Sequence, residues 1–297
     1  MKTLLLTGAS GYLGGRLLDY FTRQVSGWEV FKTDRVMLSH PVSLPKGVDA
    51  ILHIAGLDAA RCAKDPALAH EVNVKLTQQL LKTAATAGVS QFIFFSTVHV
   101  YGSPLAGVLD EKMPLSQPAH PYAATKLAAE QEVLFYPKNK LLQGTVFRLT
   151  NAFGCPASPN IERWELIVND LCRQTVTERC LTLRSSGRQL RDFVTITDVC
   201  RAVEHVLENG LGGLYNLGGE QVLSLQGMAE LVADCSVKVL GFRPEITVNG
   251  NEHEKDWPTF AVSIERLKAT GFSLLKNVEA EIEQTLLFCR KFGALDG

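Results

Sequence analysis

Short apolar runs alternate with longer amphipathic ones along the first half of the chain. KTLLLT (2–7) reads as a strand and GYLGGRLLDYFTRQ (11–24) as an amphipathic helix; EVFKTD (29–34) and VDAILHIAG (48–56) follow as strands. A helix is expected over 67–88, a strand over QFIFFST (91–97), a helix after Pro121 and a strand over GTVFRLT (144–150). Apolar strands interleaved with helices are the pattern of β-α-β crossovers, so the spacing predicts an α/β fold, a doubly wound parallel sheet covered on both faces. After Asn151 the rhythm becomes irregular. AFGCPASPNIERW (152–164) reads as a loop, RSSGRQLRDF (184–193) as a basic turn and NGLGGLYNLGGEQ (209–221) as a glycine-rich stretch, with helices expected at 162–175, 196–208, 224–235 and 277–292. The organisation expected is a doubly wound domain over 1–150, with 190–217 returning to it, and a smaller mixed lobe from 151–189 and 218–297. Such a lobe would lie over the carboxyl ends of the strands.

Between Asp34 and Asp49 the segment RVMLSHPVSLPKGV holds two prolines. A strand fits there, whereas a crossover helix does not, because an interior proline removes an N–H and clashes with the preceding turn.

At 297 residues, 46% hydrophobic and 21% charged, the chain has the composition of a globular protein with a sizeable core. Thirty basic against thirty-one acidic residues give no field to gather nucleic acid or an anionic membrane, which leaves small-molecule chemistry as the expectation. The leucine run at the start stops at Thr7-Gly8, too short for an export segment, and no stretch is long enough to span a bilayer. The seven cysteines are scattered without a Cys-x-x-Cys pair, which points to free thiols in the cytoplasm and to no metal site.

Gly8, Gly11 and Gly14 stand between the first strand and the first helix. Glycines at that junction permit a tight turn and a close approach of backbone to a pyrophosphate, which the helix N-terminus attracts. The loop residues Tyr12 and Leu13 would face the same ligand. Asp34 follows about 20 residues after Gly14, where a carboxylate accepts hydrogen bonds from an adenosine ribose and repels a 2′-phosphate. NAD is therefore the expected cofactor. NADP is the alternative, since Lys32, Arg35 and Arg16 lie near enough in sequence to offset the acid.

Tyr122 and Lys126 are four places apart, hence on one face of their helix. The strand QFIFFST ends in Ser96-Thr97, and in a doubly wound sheet that strand end borders the crevice entered by the next helix. Thr97, Tyr122 and Lys126 are thus expected to converge. A phenol near a cation gives up its proton more readily, so Tyr122 would act as acid/base on an alcohol while hydride leaves the same carbon. The ordinary alternative is a chance pairing on a surface helix.

These pieces, together with HIAG (53–56), Asn73 in EVNVKL, FSTVHVYG, RLTNAFG (148–154), RQLRDFVTITDV (188–199) and LYNLGG (214–219), resemble the extended short-chain dehydrogenase/reductases of the nucleotide-sugar epimerase and dehydratase branch. The matching pieces run in family order across nearly the whole chain. The resemblance implies Thr97, Tyr122 and Lys126 as the catalytic set, with Lys126 also gripping the nicotinamide ribose. It implies Ala55 and Gly56 lining the cofactor, Asn73 close behind, and Asn151 and Arg191 on the diphosphate of a nucleotide sugar. An ion pair with Asp192 or Asp198 is the other reading of Arg191. A homodimer through the helix carrying Tyr122 and the one before it is also implied.

Dehydrating members of that branch carry an acid in the two places after the catalytic hydroxyl. Val98 and His99 occupy them here, so a 4,6-dehydratase is disfavoured. His99 is a substrate-contact candidate, as a donor or proton shuttle; the alternative is a histidine packed under the substrate loop. The expected function is a nucleotide-sugar epimerase with tightly bound NAD. The alternative is an NAD(P)H-dependent keto-sugar reductase, and a nucleotide-sensing regulator on the same fold is the reading from another class.

Overall fold

The computed structural model describes residues 1–33, 43–135, 142–161, 164–250 and 257–292. The first half contains β1 (Lys2–Thr7), α1 (Tyr12–Arg23), β2 (Trp28–Thr33), β3 (Ala50–His53), α2 (Ala59–Lys64), α3 (Pro66–His70), α4 (Leu76–Thr86), β4 (Gln91–Thr97), β5 (Gly107–Leu109), α5 (Pro121–Phe135) and β6 (Gln143–Leu149). Then come β7 (Asn151–Phe153), α6 (Ile167–Thr177), β8 (Cys180–Leu183), β9 (Leu190–Thr195), α7 (Ile196–Glu208) and β10 (Gly213–Leu217). The last elements are β11 (Val222–Ser224), α8 (Leu225–Leu240), β12 (Glu245–Val248), β13 (Phe260–Val262), α9 (Glu265–Lys268) and α10 (Val278–Phe292).

Six strands form one parallel sheet in the order β2-β1-β3-β4-β6-β10. Every residue of β3 and β4 is buried, because helices cover both faces; β2, at the edge, alternates half-buried with exposed positions. One face packs Leu17 and Phe21 of α1 with Val199 and Val203 of α7. The other packs Leu80 and Leu81 of α4 with Ala129 and Val133 of α5. The chain leaves β1 toward β2 on one side and returns to β3 on the other, so the loops splay apart at their carboxyl ends and open a crevice.

A second core joins α6, α8 and α10 around Leu171, Met228, Ile282 and Leu286, with Phe153 and Phe193 beneath. Its strands form a sheet in the order β11-β9-β7 and a β12-β8 pair. The distal strand β13 pairs in parallel with β5, which belongs to the first half. Buried Asn216 fastens that pair to the main sheet: its amide donates to Leu109 O and Ser263 O, and its oxygen accepts from the Tyr101 hydroxyl.

Two segments depart from the periodicity. The helix expected over 67–88 is interrupted by a π-helical turn at Glu71–Lys75, which swings Asn73 inward to bond the loop after β3. The helix expected from 162 begins at Ile167, with 164–166 in a turn and 162–163 outside the described residues. The segment 35–48 carries no strand among its described residues, 43–48.

Candidate active site

Gly8 turns the chain at φ 76°, and Gly11 N–H donates to Gly8 O at 3.1 Å. A Cβ on Gly14 would lie 2.0 Å from Gly8 O, so only glycine lets α1 start this close to the loop. Gly11 caps α1 without a side-chain hydrogen bond, leaving the first-turn N–H groups of Tyr12, Leu13 and Gly14 without helical acceptors. A tight loop ending in an uncapped helix N-terminus suits a pyrophosphate. Tyr12 presents only its backbone to that loop. Its phenol is buried and donates to Gly154 O at 2.7 Å, tying α1 to the chain after β7. Asp34, the expected ribose ligand, lies outside the described residues.

Ala55 and Gly56 form the facing wall. The N–H groups of Ile54 and Ala55 both reach Thr7 Oγ1 at 3.2 Å, which in turn meets His53 Nδ1 at 2.8 Å. The far ring nitrogen of His53 meets Thr77 Oγ1 at 3.1 Å, and burial holds the ring neutral, its pKa pushed down to about 3. Asn73 Oδ1 accepts from Leu57 N at 2.8 Å while its amide donates to Thr125 Oγ1 at 3.1 Å. Asn73 therefore stands behind the wall, with its polar groups spent on holding it.

Thr97 closes β4. It is buried, and its hydroxyl accepts from His99 N at 3.3 Å, capping a short 3-10 turn over Val98–Tyr101. Tyr122 opens α5 and shares with Thr97 a crevice of about 370 Å³ that also touches Leu13, Asn151 and Phe153. Lys126 lies one turn along on the same face. Its ammonium donates to Phe95 O at 3.0 Å, sits 4.7 Å above the Phe94 ring, is 5.9 Å from the Tyr122 ring centre, and borders Gly56. The expected set thus converges on one place, with Lys126 below the tyrosine. Glu130, a turn further, forms a buried two-point ion pair with Arg148 of β6, which stacks on Tyr101 at 4.7 Å.

The electrostatics of the bare protein differ from the expectation that a cation makes Tyr122 acidic. Burial, with smaller effects from Cys62 and Asp58, pushes the phenol up to about 12. Burial also brings the Lys126 ammonium down to about 8. Desolvation is the largest effect on both groups.

His99 is exposed and borders three cavities. Arg191 on β9 lines a smaller one of about 90 Å³ beside Trp257. It has no acidic partner among the described residues: Asp198 pairs with Arg201 at 3.0 Å, and Asp192 accepts from Gly219 N at 2.9 Å. Asn151 lines the larger crevice and donates to Asp192 O at 3.0 Å, and His99 borders both that crevice and the Arg191 cavity.

Three residues around these cavities were not singled out in the sequence. His120 Nδ1 accepts from Tyr122 N at 3.2 Å, capping α5; a polar residue before Pro at the first helical position is the signal that marks it. Asp58 caps α2 by accepting from Arg61 N at 2.9 Å, within electrostatic reach of Tyr122. Trp257 reaches the Arg191 cavity only through tertiary folding.

The chain is 30% identical over 272 residues to a UDP-glucose 4-epimerase of Rhizobium leguminosarum bv. trifolii, covering 78% of this chain and 83% of that one. It is 27% identical over 259 residues to a dTDP-D-glucose 4,6-dehydratase of Homo sapiens, covering 77% and 72%. The solved structure of RMD from Pseudomonas aeruginosa complexed with NADPH superposes with a TM-score of 0.82 at 25% identity, covering 98% of this chain and 99% of the other. The model of the NAD dependent epimerase/dehydratase family matches residues 4–218, and the chain belongs to that family.

Proposed function

We propose that this protein is a nucleotide-sugar epimerase that retains NAD through its cycle. The observation that carries the reading is the meeting of Thr97 and Tyr122 in one crevice at the strand ends, with Lys126 beneath and the phosphate loop alongside. When bound, NAD supplies the hydride acceptor and, oxidised, a positive ring charge. Tyr122 takes the proton from the sugar alcohol and later returns one to the keto oxygen. Thr97 holds that oxygen in line. Lys126 has ammonium hydrogens beyond the one given to Phe95 O and offers them to the nicotinamide ribose.

A phenol at about 12 lies some 5 pH units above neutrality, so its ionisation asks for roughly 7 kcal/mol at ~1.4 kcal/mol per unit. That value already includes Lys126, so the further help is the positive charge of the oxidised ring, and proton removal waits for the loaded site. Arg191 has no carboxylate partner among the described residues, which supports a role for its guanidinium fork on the diphosphate, and Asn151 lines the crevice that Tyr122 also lines.

Although relatives include a dehydratase, the two residues after Thr97 are a buried valine and a histidine. The acid facing the crevice, Asp58, is occupied as a helix cap. That arrangement favours epimerisation over loss of water. The same reading includes a homodimer through α4 and α5, where Phe135 is 77% exposed, and a cytoplasmic location suited to the free cysteines. Sedimentation at twice the monomer mass supports the dimer, and monomeric sedimentation rejects it.

The test is turnover of UDP-, GDP- and dTDP-hexoses by protein carrying its own nucleotide. The expected result is epimer interconversion with no lasting change in nicotinamide absorbance, lost at least a thousandfold in Tyr122→Phe. Stoichiometric consumption of NAD(P)H would instead establish the keto-sugar reductase, and purified protein devoid of pyridine nucleotide affinity would refute both.

A further inference from the structure

Gly154 directly follows β7, the strand Asn151–Phe153 that lines the crevice, and residues from four helices hold it. Its carbonyl accepts from the Tyr12 phenol of α1 at 2.7 Å, and its N–H donates to Asn169 Oδ1 of α6 at 3.2 Å. The Asn169 amide lies within hydrogen-bonding reach of the same phenol, so the three residues close a ring. At φ 142° the backbone of Gly154 excludes a side chain, and a Cβ would fall 2.2 Å from Glu281 Oε1 of α10 and 2.7 Å from Ile196 Cγ2 of α7. Glu281 is itself fixed, since Thr197 Oγ1 donates to its other oxygen at 2.6 Å.

The ring is dry. Tyr12, Asn169 and Glu281 are all buried, and burial keeps the phenol protonated, hence a permanent donor. Packing alone would be met by phenylalanine at 12 and leucine at 169. A buried hydroxyl and amide cost desolvation, which the closed set of hydrogen bonds offsets, and what the ring adds is a fixed spacing between α1 and the chain after β7. That spacing bears on the site. Tyr12 and Leu13 open α1 with the unpaired N–H groups of the phosphate loop, and both line the crevice together with Phe153 and Val168 of the second core.

We propose that Tyr12 and Asn169 are positioning residues which, through Gly154, set the distance between the phosphate loop and the crevice wall, and so hold the dinucleotide and the reacting sugar in register. The inference rests on the epimerase reading where it concerns the sugar.

The test uses nucleotide-loaded protein and has two readouts. The first, the rate at which bound pyridine nucleotide leaves after dilution, needs no turnover. Tyr12→Phe removes one oxygen and leaves a buried carbonyl unpaired, and should speed release about tenfold. Asn169→Leu should act in the same direction. The second is the division between kcat and KM for UDP-, GDP- and dTDP-hexoses. In both variants kcat should fall about tenfold with KM nearly unchanged, while reduced nicotinamide accumulates as the keto intermediate escapes. The double variant should lose less than the product of the single losses, because both side chains act on one glycine. Thermal melts separate a purely structural role: lower melting temperatures with wild-type release and kcat in both variants would overturn the proposal and leave the epimerase reading standing. Losses that simply multiply in the double variant would overturn the shared action through Gly154. Faster release from the variants with no epimerisation even by the wild type upholds the positioning role and rejects the epimerase reading, and a wild type that binds no pyridine nucleotide overturns both.

Discussion

Replacing Lys126 by Met should stabilise the cofactor-stripped protein at neutral pH while abolishing its activity. The ammonium is 6% exposed, and burial lowers its pKa from 10.5 to about 8. At ~1.4 kcal/mol per pH unit, keeping it charged in the folded chain costs about 3 kcal/mol. Met fills similar volume but leaves Phe95 O without its donor, a loss of roughly 1–3 kcal/mol, so the variant should be about 1 kcal/mol more stable at pH 7. The pH dependence is the sharper test. Between pH 8 and 10.5 the folded protein has released the Lys126 proton while the unfolded chain still holds it. The unfolded state therefore binds more protons, and wild-type stability rises relative to the variant across that window by about 3 kcal/mol. Below pH 8 both states keep the proton and the difference is flat. Urea unfolding of both proteins at pH 7, 9 and 10.5 measures this, with the variant ahead at the first and the wild type ahead at the last. A difference that stays constant from pH 7 to 10.5 would refute the claim that Lys126 is held charged against its surroundings.

Glu130→Gln should lower stability by roughly 3–5 kcal/mol in urea melts, because it strands the Arg148 guanidinium in the core; Glu130→Met with Arg148→Met should recover most of that. Gly14→Ala should lower the pyridine nucleotide recovered from denatured protein at least tenfold, since its Cβ would fall 2.0 Å from Gly8 O. Thr97→Ala should reduce kcat more than a hundredfold with little change in KM, as expected of a group that holds the reacting oxygen, and a loss confined to KM would reassign it to binding.

Much of this protein could be read along the chain because burial on one face leaves a periodic trace. Continuous apolar runs at 2–7 and 91–97 announced strands covered on both sides, and both lie inside the parallel sheet. The glycine spacing at 8, 11 and 14 marked a helix start that only hydrogen-sized side chains allow, and the four-residue separation of Tyr122 and Lys126 placed them on one face. The resemblance to the epimerase and dehydratase branch was visible at the same stage, from short motifs in order.

What the tertiary structure alone decided are the matters that depend on partners distant in sequence. The π turn at Asn73 exists to satisfy Leu57 and Thr125, and no local repeat encodes it. Three-residue strands such as β5 and β13 are too short to carry a period, and their pairing is fixed by the Asn216 side chain from a third element. The meeting of His99, His120 and Arg191, and the protonated state of Tyr122 in the bare protein, likewise follow from which surfaces are brought together and how much water is left between them. Sequence periodicity determines which face of an element is buried; only the folded chain determines what that face is buried against, and both pKa and cavity shape depend on the latter.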